Sequence, residues 1–256
     1  MSPRDIVEQW YQGRALVWGH RGARAYAPMN TLPSFELAMT QGAHGIELDV
    51  HRSKDGFPVI LHDYTVDGTT DGHGVITEMT LAEIKELDAG RSFGEAYKGV
   101  QIPTLDEVFD LVGQKMIVNV EIKGERPVSD GVEQIVADCI QRHNMQAHVG
   151  LSSFNPTILK RFRQIMPQVP LGYLQEMGYD APGVDTEAAI LRDDCEAWHP
   201  RHSVVDEAYM QQARSLERLV NVWTINDAER AKHLRALGVS GFITDTPDVI
   251  LKALAE

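Results

Sequence analysis

Short apolar runs alternate with amphipathic helical patterns along the whole chain, and this alternation restricts the possible folds more than any other feature. Several of the runs are apolar at consecutive positions, which is typical of parallel strands that are covered on both faces. Eight such runs in 256 residues predict an α/β fold, a (β/α)8 or TIM barrel of ordinary size. The predicted strands cover residues 15–20, 45–50, 115–123, 147–154, 170–176, 196–200, 219–226 and 241–245.

Helix start and stop signals lie between these runs. The segments "TLAE" at 80–83 and "TLDE" at 104–107 both have the capping-box pattern, with Thr first and Glu three residues later. Asn155 and Thr246 each precede a proline, which favours a helix that begins with Pro in its first turn. Gly42 is placed to end the helix predicted over 31–41.

One strand-like run, residues 58–63, does not fit the barrel rhythm. It follows the second strand after only a short turn around Asp55 and Gly56, and a parallel crossover needs about a dozen residues. The run therefore predicts a hairpin that returns His62 towards the second strand. The turn-rich residues 64–103 are expected to form a small cap inserted after it, and residues 1–256 to form a single domain.

Charge and composition exclude several classes of protein. A formal net charge of −13 argues against a nucleic-acid partner, because such proteins usually present a basic face. No run approaches the roughly 18 apolar residues of a membrane span, so stable membrane insertion is not expected. The first residues lack the apolar core of a signal peptide, and Cys139 and Cys195 show no motif spacing. These features predict a cytoplasmic protein with two unpaired thiols.

Acidic side chains gather where the predicted strands end, which is the active-site face of this fold. Glu47 and Asp49 are two residues apart on one strand, as are Glu121 and Lys123 on another, so each pair shares a face. Three carboxylates at a barrel mouth repel one another unless a cation joins them. Glu47, Asp49 and Glu121 therefore predict a site for a divalent metal, Mg²⁺ or Ca²⁺, which take oxygen ligands.

Two histidines lie beside this predicted metal site. His20 ends the first strand and His62 follows the hairpin, and imidazole exchanges protons readily near neutral pH. We therefore expect His20 and His62 to form a catalytic acid/base pair, and the sequence does not decide which of them is the acid. Arg21 and Lys123 are expected to hold a phosphate beside the metal, since the planar guanidinium can bind two oxygens at once.

These motifs, taken in order, resemble the glycerophosphodiester phosphodiesterase family over nearly the whole chain. The resemblance implies a (β/α)8 barrel with an inserted cap that hydrolyses glycerophosphodiesters to an alcohol and glycerol 3-phosphate with a divalent metal. It also implies apolar pocket roles for Phe154 and Trp223, and attack by the neighbouring glycerol hydroxyl through a cyclic phosphate. The motifs are "HRG" at 20–22, the stretch 30–63, "EIK" at 121–123, "SSF" at 152–154 and "VWTIN" at 222–226.

The sequence departs from this family at Met29. The family motif reads Pro-Glu-Asn-Thr, and this chain has Pro-Met-Asn-Thr at 28–31. The change removes a negative charge and a hydrogen-bond acceptor near Arg21. The expected consequence is weaker metal binding, a less well oriented Arg21 or an altered substrate preference. A loss of this kind commonly costs about 10- to 100-fold in activity or metal affinity, and not all of it.

Two other functions fit part of the pattern. A phospholipase of related barrel architecture would share the motifs, but an aromatic content of only 7% and an acidic charge give little support for a membrane-facing surface. A non-catalytic phosphodiester-binding protein would explain Met29 as a lost catalytic group. The motifs do not distinguish choline, ethanolamine, glycerol or inositol head groups, and they leave the oligomeric state open.

Overall fold

Nine β-strands and nine α-helices occur in the residues that the structure, a computed structural model, describes: 1–124, 129–176 and 195–255. The strands are β1 Leu16–His20, β2 Gly45–Arg52, β3 Pro58–Ile60, β4 Ile117–Ile122, β5 Val149–Ser153, β6 Leu171–Gln175, β7 Ala197–Pro200, β8 Leu219–Val222 and β9 Gly241–Thr244. The helices are α1 Pro3–Tyr11, α2 Leu32–Thr40, α3 Leu81–Lys85, α4 Leu105–Val112, α5 Val132–Arg142, α6 Pro156–Ile165, α7 Glu207–Ser215, α8 Ala228–Ala236 and α9 Pro247–Ala255.

The sheet closes on itself into a barrel. All strands except β3 are parallel to their neighbours, and the order runs β1, β9, β8, β7, β6, β5, β4, β2. A parallel pairing of β1 with β2 completes the ring, with His20 opposite Glu47. The predicted eight-stranded α/β barrel is therefore confirmed.

Helices cover the outside of this ring. On β2, Ile46, Leu48 and Val50 belong to the main apolar cluster, together with the helical residues Phe35 and Phe109. Because side chains alternate along a strand, the residues between them face the barrel interior. Both predicted capping boxes are present, at the starts of α3 and α4. Among the described residues, no helix is both long and apolar enough to cross a membrane.

The additional strand β3 forms the predicted hairpin with β2. The two strands pair antiparallel, with Val50 opposite Ile60, and Gly56 adopts a φ of 91° at the turn between them. After β3 the chain builds a small apolar cluster of its own, which includes Val59 from the hairpin and Ile84 from α3. This cluster packs the segment after the hairpin against β3.

The first helix, which the sequence patterns did not predict, covers the opposite end of the barrel. Ile6, Val7, Trp10 and Tyr11 are buried in a cluster that includes Leu16, the first residue of β1. The Trp10 indole packs edge-on against Trp18 at 6.4 Å, and its Nε1 donates a hydrogen bond of 2.8 Å to the carbonyl of Ala147. Helix α1 thus seals the end where the strands begin.

Replacing Trp10 with Ala is expected to lower the free energy of unfolding by about 3–5 kcal/mol, because it empties an enclosed site against the barrel floor. Urea unfolding would measure the loss. Gln9→Ala, at an exposed position of the same helix, is the matched control and should change stability by less than about 0.5 kcal/mol. An equal effect of both substitutions would contradict a sealing role for α1.

Candidate active site at the carboxyl ends of the strands

The strand register brings the predicted acidic residues together inside the barrel. Glu47 lies beside Asn119, and Asp49 beside Glu121, in the pairing of β2 with β4. On β4, Asn119 and Glu121 alternate with the outward-facing Val118 and Val120, so their side chains point inward. Glu47 and Asp49 point inward on β2 for the same reason. The three carboxylates are buried, and one oxygen from each lies within 4.8 Å of the others.

The turn after β1 delivers Arg21 to this carboxylate cluster, which we define as Glu47, Asp49 and Glu121. Arg21 has a φ of 56°, an uncommon backbone conformation for a residue with a side chain. Its backbone N–H donates to Glu47 Oε2 at 3.1 Å, and its Nε lies 3.1 Å from Asp49 Oδ2. Backbone strain of this kind is found where a functional group must be held in one orientation.

Gly22 makes this turn possible. It has a φ of 83°, and a Cβ atom there would come within 2.7 Å of the backbone oxygen of Ser34. The turn is tied to α2 by the backbone N–H of Ala23, which donates to that same oxygen. The glycine of the His-Arg-Gly motif therefore has a steric role, because a residue with a side chain at position 22 would not let this turn lie directly against α2.

Lys123 provides the second positive charge of the site. Its Nζ lies 2.8 Å from Asp49 Oδ1 and 2.5 Å from Glu121 Oε1. Burial alone would raise the pKa of Asp49, but Lys123 and Arg21 outweigh it and hold that pKa far below its usual range. Burial raises the pKa of Glu121 to about 7 against the effect of Lys123, and burial with the charges of Asp49 and Glu121 raises the pKa of Glu47.

The charges of this buried group do not balance. Three carboxylates face two cationic side chains, and burial, together with the charge of Asp49, raises the pKa values of Glu47 and Glu121. An all-oxygen set of buried carboxylates suits a hard divalent cation, which would supply the missing positive charge. The residues present therefore fit a metal ion, and the chain has a possible acidic metal-binding cluster.

Each of the two predicted histidines is oriented by a carboxylate. His20 Nδ1 lies 2.7 Å from Asp245 Oδ1, and His62 Nδ1 lies 2.7 Å from Asp63 Oδ1. These contacts use Nδ1 and leave Nε2 for another partner. Burial lowers the pKa of His20 to about 4 although the hydrogen bond with Asp245 opposes it, and burial also lowers the pKa of His62.

A cavity of about 420 Å³ joins these groups at the barrel mouth. One wall is aromatic, because the rings of Phe154 and Trp223 pack edge-to-face at 5.6 Å. Asp49 lies behind the lining, only 1% exposed. Eight predicted site residues line the cavity: His20, Arg21, Glu47, His62, Glu121, Lys123, Phe154 and Trp223.

A larger cleft of about 850 Å³ lies at the other end of the barrel, beside α1. Its lining includes Arg4, Glu8 and Arg14, which are exposed side chains. Enzymes of this fold place their chemistry where the strands end, and that rule favours the smaller cavity.

The structure adds site residues that the sequence patterns missed. Asp245 directly follows β9, so the rule that polar residues at strand ends form the site would have found it. Arg24 lies 3.3 Å from Asp245 through its Nε and also lines the cavity. Asn30 donates from its side-chain nitrogen to Asp49 Oδ2 at 2.8 Å, a contact between distant segments that sequence spacing does not reveal.

Met29 lies against Arg21, as expected from the family motif that has Glu at this position. Its sulfur is 3.3 Å from Arg21 Nη1, where a thioether is only a weak acceptor. The guanidinium of Arg21 therefore contacts the Asp49 carboxylate through Nε and the nearly apolar Met29 side chain through Nη1. The substitution leaves the ion pair in place but gives the guanidinium no second anionic contact from position 29.

Comparisons with known proteins point to one family. A family model described as the glycerophosphoryl diester phosphodiesterase family matches residues 20–249. The chain is 37% identical over 244 residues to the glycerophosphodiester phosphodiesterase of Caldanaerobacter subterraneus subsp. tengcongensis, covering 95% of this chain and 99% of the relative. It is 32% identical to glycerophosphodiester phosphodiesterase 1 of Homo sapiens, covering 96% of this chain and 80% of that protein.

A solved structure also has this fold and a related sequence. The phosphodiesterase of Oleispira antarctica, determined in complex with the product sn-glycerol-3-phosphate, superposes with a TM-score of 0.82 at 32% identity. The match covers 96% of this chain and 99% of that one.

Replacing Met29 with Glu is expected to raise the affinity of the carboxylate cluster for Mg²⁺ or Ca²⁺ by about 10-fold, because it adds a negative charge and an acceptor beside Arg21. Calorimetric titration of metal-free protein would measure it. Met29→Gln is the matched control, of similar length but neutral. If the Glu and Gln variants bind the ion equally well, the charge at position 29 has no role.

Proposed function

Because the chain belongs to the glycerophosphoryl diester phosphodiesterase family, we propose that its barrel mouth cleaves phosphodiesters with a divalent cation and two histidines. The protein is a phosphoric diester hydrolase that converts glycerophosphodiesters to an alcohol and glycerol 3-phosphate. One observation carries the proposed mechanism: three buried carboxylates, two cationic side chains and two carboxylate-oriented histidines surround one cavity of small-molecule size.

In this proposal Glu47, Asp49 and Glu121 hold the cation, as Mg²⁺ or Ca²⁺. When bound, the ion supplies positive charge to the non-bridging phosphate oxygens. Arg21 and Lys123, which already face the carboxylates at 3.1 and 2.8 Å, add two further cationic groups at the same place. Their fixed positions favour the charge that grows on the phosphate oxygens in the transition state.

His62 and His20 have the proton-transfer roles. His62 Nε2 accepts the proton of the attacking glycerol hydroxyl, and His20 Nε2 donates a proton to the leaving alcohol oxygen. Water then opens the resulting cyclic phosphate with the two roles reversed. The low pKa of His20 in the free protein opposes its role as an acid. The negative charge of a bound phosphodiester would raise that pKa, because it favours the imidazolium form.

Asp245 is proposed to position His20 for this step. Its Oδ1 fixes His20 Nδ1, while Asn226 donates from its side-chain nitrogen to Asp245 Oδ2 at 2.8 Å. The aromatic wall of Phe154 and Trp223 lies beside these groups and would contact the less polar part of the substrate.

The remaining features agree with a small-molecule enzyme. We propose that residues 1–256 act as one catalytic domain located in the cytoplasm. Cys139, which is buried and forms no disulfide among the described residues, supports that location, because the cytoplasm keeps thiols reduced.

Metal-stripped protein should release glycerol 3-phosphate from glycerophosphocholine only after Mg²⁺ or Ca²⁺ is added back. Glu121→Gln should reduce that activity by about 100-fold or more, since it removes several kcal/mol of charge stabilisation. Glu36→Gln, an exposed position on α2, is the control and should leave it unchanged. Release without any added ion would refute the metal requirement, and binding without release would favour a non-catalytic phosphodiester-binding protein.

His20→Ala and His62→Ala should each lower kcat by about 10²- to 10⁴-fold, because each removes a proton-transfer group. His73→Ala is a suitable control, since His73 is 86% exposed in the segment after the hairpin. Steady-state assays at saturating metal would measure the change. Near-normal kcat in both active-site variants would overturn the assignment.

A further inference from the structure

A second cluster of metal-ligating side chains lies on the outside of the barrel, between α4 and α5. It consists of Asp106, Cys139 and His143, and one ligand atom from each lies within 4.8 Å of the other two. None of these residues lines the cavity at the barrel mouth. The cluster is therefore separate from the site proposed for catalysis.

The helices set the geometry of this outer cluster. Cys139 lies in the last turns of α5 and His143 four residues further along, so both project from the same side of the helix. Asp106 lies in the first turn of α4, and its Oδ1 is 2.8 Å from His143 Nε2. The His143 ring also packs against Phe109 at 5.6 Å, which restricts its orientation.

A second carboxylate faces the other side of the same imidazole. Asp110 Oδ1 lies 3.5 Å from His143 Nδ1, while Nε2 points into the cluster. Histidines that bind metals usually have a carboxylate or carbonyl partner on the nitrogen that does not bind the ion. Asp110, one helical turn after Asp106, is placed to provide that contact.

We propose that Asp106, Cys139 and His143 bind a zinc ion. A thiol, an imidazole and a carboxylate are the donors that zinc takes, whereas Mg²⁺ and Ca²⁺ prefer oxygen alone. Tetrahedral zinc separates its ligand atoms by about 3.3–3.8 Å, so atoms already within 4.8 Å need only small side-chain movements. Binding forms a Zn–S bond and releases the thiol proton of Cys139 to solvent.

Burial explains why the thiol needs a metal to ionise. Cys139 is fully buried, and burial together with the charge of Asp106 raises its pKa. The metal-free cluster therefore holds a protonated thiol. Asp106 and His143 are partly exposed, with side-chain exposures of 30% and 19%, and they provide the side from which an ion can enter.

Arg142 forms an ion pair with Asp106, one of the three proposed ligands. Its Nη2 lies 2.6 Å from Asp106 Oδ1, and its side chain is 56% exposed. An exposed arginine can turn into solvent at little cost. Its positive charge nevertheless competes with a metal ion for Asp106. We therefore expect a neutral side chain at position 142 to tighten metal binding.

Co²⁺ is a spectroscopic probe that distinguishes this thiol-containing cluster from the carboxylate cluster at the barrel mouth. Co²⁺ bound to a thiolate gives a near-ultraviolet charge-transfer band, which the all-oxygen cluster of Glu47, Asp49 and Glu121 cannot give. Titrating the full-length protein with Co²⁺ should produce the band, and added Zn²⁺ should remove it. Cys139→Ser and His143→Gln should each abolish it, while Cys195→Ser, the other cysteine, should leave it intact.

Arg142→Gln should lower the Co²⁺ concentration at half-saturation by about 2- to 5-fold, because it removes one competing surface charge. Zinc at about 100 times its dissociation constant should raise the Tm by roughly 5–10 °C in the wild-type protein and not in Cys139→Ser. Absence of the band in folded wild-type protein, or an identical band in Cys139→Ser, would overturn the proposal. Either result would leave the function of the barrel mouth unaffected.

Discussion

The ion pairs of Lys123 with Asp49 and Glu121 are the interactions on which the arrangement of the barrel mouth depends. Three carboxylates within 4.8 Å of one another would repel strongly if nothing compensated them. Lys123 and Arg21 offset most of that repulsion, and Asp49 stays ionised because both cations act on it. The described residues thus contain a possible acidic metal-binding cluster, in which a divalent cation would offset the remaining repulsion.

Rigid strands make such a costly cluster possible. Glu47 and Asp49 share one strand with an extensive outer apolar face, and Glu121 lies in register on the neighbouring strand. The carboxylates cannot move apart without disrupting the apolar contacts between strands and helices. The packing energy of the barrel thereby offsets the electrostatic cost at its mouth, which is a common relation between fold and active site.

The two ends of the barrel have different physical roles. At the end where the strands begin, α1 seals the interior with Trp10 and Tyr11, and the Tyr11 hydroxyl donates to Asn221 at 2.8 Å. At the other end, loops hold polar groups around a cavity. This division separates stability from chemistry, so the loops can carry strained residues such as Arg21 without weakening the seal below.

The sequence by itself determined the fold and most of the candidate site. Strand and helix positions follow from apolar periodicity and capping boxes, which are local properties, and same-face pairs such as Glu47 with Asp49 follow from strand alternation. The N-terminal helix, which the apolar pattern did not predict, also has local signals, since Ser2 and Asp5 form a capping box and Pro3 lies in the first turn. The contacts between site residues that lie far apart in sequence were decided by the tertiary structure alone. Asn30 reaches Asp49, and Asp245 reaches His20 across 225 positions, because barrel closure brings together residues whose separation in sequence carries no signal.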